Sequence, residues 1–313
     1  MSERTYLFII GTGRCGSTLV QELIARHPRV GFISNVDTTL AAFNPKGRAN
    51  HLLYGSLPAA LGRRDRAYLK NLRFTLGERV HFGPSEAYKI LSRQIAPTIS
   101  EPFRDLTEDD ATPWLAGRFR TFFEERAEAQ DVPVFMHKFT GWPRARFIDE
   151  VMPNARFLHV VRDGRAVASS IVQRPWWKGY LGVPAWGFGD LPDELREGWE
   201  RHGRSLVVLA GLEWRILMDA FDLAAARIDD RRWLELRYED IVADPHSNWE
   251  RILGLAGLEW DEAFDEAYRR YPVATSRRQA FRRDLSERQI EQLEDVLGRH
   301  LEARGYELGE PAN

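Results

Sequence analysis

Five short apolar runs punctuate the chain, at 6–10, 30–34, 132–138, 156–161 and 233–237. The first, Tyr6-Leu7-Phe8-Ile9-Ile10, has the length and the aromatic and β-branched content of a strand buried on both faces. Behind it, past a glycine-rich turn, apolar residues recur at helical spacing from Leu19 to Ile24 and stop at His27-Pro28, because proline cannot continue a helix. The pattern then loosens. Between about 37 and 110, two predicted helices (57–62 and 65–76) alternate with turns at Asn44-Pro45, Gly83-Pro84 and Glu101-Pro102. No linker bounds this region, so it is expected to cap the sheet as an insertion.

Regularity returns at Thr112-Pro113, a helix cap followed by a proline at the first helical position. A helix is expected over 114–129, the third strand over 132–138, and a helix over 144–152. The fourth strand is expected over 156–161 and a helix over 165–172. A loop dense in Trp, Gly and Pro covers about 173–192, and one long helix is predicted over 193–227. The fifth strand follows, then helices at 248–257 and 261–271, a basic stretch at 276–283, and a last helix opened by the capping box Ser286-x-x-Gln289. Strands alternating with helices predict a single α/β domain over 1–313, with a central parallel sheet flanked by helices.

The 313 residues suffice for a substantial core. Lys and Arg number 44 against 46 Asp and Glu, a net charge of −2, which disfavours a surface built to bind nucleic acid. Cys15 is the only cysteine, so no intramolecular disulfide and no cysteine-based metal cluster can form. No run approaches the roughly 18 apolar residues of a membrane span. The first apolar run is already a strand and not a leader, and a cytoplasmic protein is expected.

The chemistry starts between Gly11 and Thr18. A strand, a glycine-rich turn and a helix aim a fan of backbone N–H groups at an anion. The Gly11-x4-Gly16 spacing is that of a P-loop, and the fold expected is P-loop nucleotide-hydrolase-like, yet Ser17 stands where the lysine should be. A triphosphate tail needs that lysine and a Mg²⁺ ion. What remains is the set of N–H groups from Arg14 to Thr18, the Ser17 and Thr18 hydroxyls and the Arg14 guanidinium, a set suited to a less charged group.

Arg14-Cys15-Gly16-Ser17-Thr18-Leu19 after a first strand resembles the 5′-phosphosulfate loop of sulfotransferases that use 3′-phosphoadenosine 5′-phosphosulfate (PAPS). The family usually shows Pro-Arg-Ser-Gly-Thr-Thr-Leu. Here Gly13 replaces the proline, Cys15 the first serine and Ser17 a threonine, while Arg14, Gly16 and Thr18 fit. A second stretch, strand 156–161 followed by Arg162-Asp163-Gly164-Arg165 and on to Ser170, is similar to the family's 3′-phosphate motif, with Gly164 and Ala166 departing from the more usual Pro and Asp. The resemblance implies PAPS as co-substrate and 3′,5′-adenosine bisphosphate (PAP) as product, with no metal. It places Arg14, Cys15, Gly16, Ser17 and Thr18 at the 5′ end and Arg162 and Ser170 at the 3′-phosphate. It also sets Tyr238, in Tyr238-Glu239-Asp240, near the adenosine, and makes Arg277 or Arg278 the C-terminal basic contact in place of Ala280; Arg278 is taken.

For sulfuryl transfer, Arg14 and Lys138 are the candidates to stabilise charge on the leaving phosphate. Lys138 closes the strand as predicted, where the family places a lysine near the sulfate. The base is expected to be Asp37, with His137 behind it. One branch of the family uses a histidine where this chain has Thr140, and another a glutamate where it has Asn35. Side-chain alternation turns His137 away from Lys138, and Glu86 is a third candidate. Cys15 is read as a small loop residue open to oxidants. Trp176, Trp177, Tyr180, Trp186 and Phe188 either line a pocket for a small-molecule, lipid or glycoside acceptor or pack their loop down. Two other functions compete: a P-loop nucleotide kinase or NTPase, and a non-catalytic PAP- or PAPS-binding module.

Overall fold

The first strand is covered on both faces, which accounts for its unbroken apolar run. In the computed structural model, residues 4–34, 37, 44–56, 83–269 and 279–309 are described. Strands β1 (Thr5–Gly11), β2 (Val30–Phe32), β3 (Val134–Thr140), β4 (Ala155–Val161) and β5 (Trp233–Arg237) form one sheet in the order β2-β3-β1-β4-β5. Every pairing is parallel. Alternation sorts the side chains: Tyr6, Phe8 and Ile10 enter one core layer, and Leu7 and Ile9 the other.

The first layer is covered by helices α2 (Pro113–Gln130), α3 (Ala145–Val151), α4 (Gly164–Ile171) and α6 (Leu206–Ala225). Here α1 is Ser17–Ile24 and α5 is Asp193–Arg201. Phe8 sits among Phe119, Phe123, Phe139 and Phe157 in this layer. On the other face, α1 and α7 (Pro245–Ala256) pack Val20, Leu23, Trp249 and Ile252 against Leu7, Ile9 and Leu158. The last helix, α8 (Glu287–Glu302), has both halves of its capping box in place and packs on α6 and α4.

Three expectations change. β3 runs two residues past Lys138, to Thr140, so Lys138 lies inside the strand. The helix expected over 193–227 is two, α5 and α6. Gly203 and Arg204 take left-handed conformations at φ 64° and 57°, and Ser205 caps α6 by accepting a hydrogen bond from the Val208 N–H. A short helix at Tyr88–Gln94 occupies a region read as turns. The helices predicted over 57–62 and 65–76 lie outside the described residues. Among the described residues, no helix is long and apolar enough to cross a membrane.

Candidate active site

β1 pairs with β3 on one side and β4 on the other, so the chain diverges around the carboxyl end of β1, the place where open parallel sheets bind ligands. The 11–17 turn sits there. Arg14 has φ 55° and Gly16 φ 95°. A Cβ on Gly16 would lie 2.2 Å from Cδ2 of Tyr238, so only glycine lets that ring lie against the loop. The Arg162 guanidinium stands 5.1 Å over the same ring. Cys15 is wholly buried beneath the loop. Its thiol is not open to oxidants, contrary to expectation.

The 5′ and 3′ motifs meet. Nε of Arg14 donates to Oγ of Ser170 at 3.0 Å, and Nη1 of Arg162 donates to the Arg14 carbonyl at 3.1 Å. Helix α4, whose first turn is capped by Asp163 accepting from the Arg165 N–H, thus spans from Arg162 to Ser170 beside the loop. Lys138 reaches the loop from the other side. Its Nζ donates to Oγ1 of Thr18 at 2.9 Å and pairs with Oε1 of Glu86 at 2.8 Å. Arg14, Thr18, Lys138, Arg162, Ser170 and Tyr238 therefore form one constellation at the end of the sheet.

The expected bases are not placed in it. Neither ring nitrogen of His137 has a hydrogen-bond partner among the described residues, and the ring sits between Phe123 and Phe139. Burial and the nearby Lys138 and Arg144 charges depress it to about 3. The parity of β3 explains this, since Lys138 faces α1 and His137 must face α2. Asp37 is also enclosed. Its Oδ2 accepts from the Ser34 N–H at 3.1 Å and from Nδ2 of Asn50 at 2.9 Å, and its Oδ1 from Nδ2 of Asn44 at 3.4 Å. Burial raises this carboxyl above its usual range, opposed by the Ser34 and Asn50 donors. It ties Ser34 to Asn44 and Asn50. Asp37→Asn turns a donor toward donors, and its denaturant midpoint should fall by the equivalent of about 1–3 kcal/mol, with PAP affinity unchanged.

Glu86, by contrast, pairs with Lys138 at the edge of this constellation. The segment before it is tied to the end of β2 by a Ser34–Pro84 bridge and by the Ser85 N–H donating to the Ile33 carbonyl at 2.8 Å. After it, the Tyr88 hydroxyl lies 3.1 Å from Oγ1 of Thr140 and accepts from the Thr140 N–H at 3.0 Å. Glu86 hangs between these two anchors, its side chain about a third exposed at 31%. Tyr88 is the residue that the sequence did not single out, and its only local signal is its place two residues after Glu86. Arg277 and Arg278 lie outside the described residues.

In the loop after α4, Trp177 and Trp186 are buried and pack it down, while Trp176, Tyr180 and Leu181 are exposed. Nε1 of Trp177 donates to Oε2 of Glu213 on α6 at 2.9 Å. Phe188 packs on Trp142 and Trp186. The loop is therefore both: some aromatics hold it down and others face out.

The chain matches a protein-family model described as Sulfotransferase family over residues 7–262. It is 24% identical over 177 residues to the omega-hydroxy-beta-dihydromenaquinone-9 sulfotransferase Stf3 of Mycobacterium bovis, spanning 54% of this chain and 40% of that protein. With protein-tyrosine sulfotransferase A of Caenorhabditis elegans it shares 27% identity over 118 residues, 38% of this chain and 26% of the relative. Each match thus spans less than half of the relative's length. Among solved structures, sulfotransferase STF9 from Mycobacterium avium superposes with a TM-score of 0.59 at 19% identity, covering 98% of this chain and 78% of that one. Sulfotransferase STF1 from Mycobacterium tuberculosis gives 0.52 at 15% identity, covering 95% and 76%. Both share the fold.

Proposed function

The chain belongs to the sulfotransferase family, and from that premise we propose that it moves the sulfuryl group of PAPS to a hydroxyl by in-line transfer, with Glu86 as base. The joining of the two anion-binding motifs through Arg14, Ser170 and Arg162 carries this reading. Loop N–H groups and the Thr18 hydroxyl face the 5′-phosphosulfate. Arg162 and Ser170, which hold Arg14 here, are the donors for the 3′-phosphate, and Tyr238 lies at the adenosine side. These groups suit PAPS: a backbone cradle that only glycine permits at residue 16, three cations, and no lysine in the loop.

In the transfer, the acceptor oxygen forms a bond to sulfur as the bond from sulfur to the bridging phosphate oxygen breaks. Glu86 removes the acceptor's proton, and PAP leaves with the electron pair. Lys138, between Thr18 and Glu86, stabilises charge growing on the bridging oxygen, and Arg14 shares that load. Amines are the second acceptor class. Exposed Trp176, Tyr180 and Leu181 favour an acceptor with an apolar body, and a small molecule, lipid or glycoside fits that description.

Calorimetric titration with PAP in the absence of divalent metal, beside a titration with ATP and Mg²⁺, tests the donor. PAP should bind tightly without metal, and Arg162→Ala should weaken it by roughly 10–100-fold, the value of one charge-assisted phosphate contact. Tight binding of ATP with Mg²⁺ alone would instead make the protein a nucleotide kinase or NTPase. PAP binding with no sulfate transfer to any of a panel of hydroxyl compounds would leave a binding module.

A further inference from the structure

Beneath the 3′ motif lies a layer of charge that the transfer chemistry does not use. Arg165, on the first turn of α4, is 3% exposed. Its Nε and Nη2 donate to both oxygens of Asp163 at 2.8–3.3 Å, and its Nη1 donates to Glu294 of α8. The guanidinium carbon lies 4.9 Å from the centre of the Phe281 ring, over its face, and Phe281 is itself buried. Glu294 also accepts from the Gly309 N–H at 3.1 Å. A parallel tie runs through Glu239, which accepts from the Asp163 N–H at 3.4 Å and from the Tyr306 hydroxyl at 3.0 Å.

Arg165 thus joins the turn after β4 directly to Glu294 and Phe281, and Glu239 bridges the same turn to Tyr306. We propose that Arg165 is a positioning residue for the 3′-phosphate pocket, locking the C-terminal helix and Phe281 to the turn from which Arg162 projects. This rests on the reading of Arg162 and Ser170 as the 3′-phosphate donors. The geometry needs a planar fork. One guanidinium satisfies two carboxylates from separate elements and stacks on an aromatic ring at once, which the point charge of lysine cannot do. A buried cation between two carboxylates is also poor material for stability alone, since an apolar replacement is often as stable. Its placement beside Arg162 is what the site uses.

The test compares PAP with 5′-AMP, which lacks the 3′-phosphate, by calorimetry on the wild type and on R165K, E294Q, R162A and R162A/R165K. The wild type should prefer PAP. R165K should lose roughly 10-fold of that preference, the scale on which outer-layer partners act at ligand sites, while 5′-AMP affinity stays within about twofold and serves as the control for folding. E294Q should lose part of it. The double variant should lose no more than R162A, because residues acting through one contact are not additive. Equal weakening of PAP and 5′-AMP in R165K, an unchanged preference, or simple additivity would each overturn the assignment. A wild type that does not distinguish PAP from 5′-AMP would overturn the 3′-phosphate reading itself, and this proposal with it.

Discussion

Glu86→Gln is expected to lower kcat by about 10²–10⁴-fold, the usual contribution of a positioned general base, with PAP affinity within about twofold of wild type. Glutamine keeps an oxygen for Lys138 and nearly the same volume, so the 2.8 Å contact to Nζ has a neutral substitute. What it loses is the capacity to take a proton. The position makes the effect specific. Lys138 contacts Thr18, at the start of α1, with the same nitrogen that contacts Glu86, so the carboxylate stands one side chain away from the 11–18 loop. The position that carries a histidine base in one branch of the resembled family is Thr140 here, and its hydroxyl and N–H are engaged by Tyr88. Sulfate transfer from radiolabelled PAPS to the best acceptor of a hydroxyl panel provides the measurement. Near wild-type turnover in Glu86→Gln removes Glu86 as base.

That residue shows where the sequence stops being readable. The parallel sheet was legible because strands covered on both faces are continuously apolar, and Tyr6–Ile10 is one. The two glycine-containing turns were legible because each is local: strand, turn and helix within about twenty residues fix where N–H groups and arginines point. Alternation alone separated His137 from Lys138. Glu86 carries no such local mark. It reaches Lys138 only because residues 84 and 85 hydrogen-bond to the end of β2 and Tyr88 to the end of β3, and these pairings span about 50 residues in sequence. The surroundings of Asp37 were hidden for the same reason, since the partners that enclose it, Asn44 and Asn50, come from chain that follows no periodic pattern. The break between α5 and α6 was masked by apolar residues at helical spacing on both sides of Gly203. Arg165 carries no role that the sequence marks, because its partners Phe281 and Glu294 lie more than a hundred residues away.

The loop after α4 yields the second large effect, on stability. Glu213, in the middle of α6, is 3% exposed, and among the described residues the hydrogen-bond partner of its carboxyl is Trp177. Burial pushes its carboxyl up to about 8, opposed only by the Trp177 N–H. In the unfolded chain the same group ionises near its usual value of about 4.3. Between those two values the folded protein holds a proton that the unfolded chain has released, so stability falls as pH rises. The contribution of the neutral carboxyl is complete below about 4.3, drains away as pH climbs to about 8, and is constant above that. Glutamine is isosteric with the protonated acid, keeps an oxygen for the indole N–H and never ionises. Glu213→Gln should therefore match the wild type within about 1 kcal/mol at pH 5 and exceed it by on the order of 2–4 kcal/mol at pH 8, measured by denaturant titration at both pH values. Because Trp177 anchors the loop bearing Trp176 and Tyr180, the same variant should keep that loop docked at alkaline pH, read as slower proteolysis between residues 173 and 192. A difference between variant and wild type that is the same at pH 5 and pH 8 would mean that Glu213 is ionised in the folded protein, and that some further donor compensates its charge.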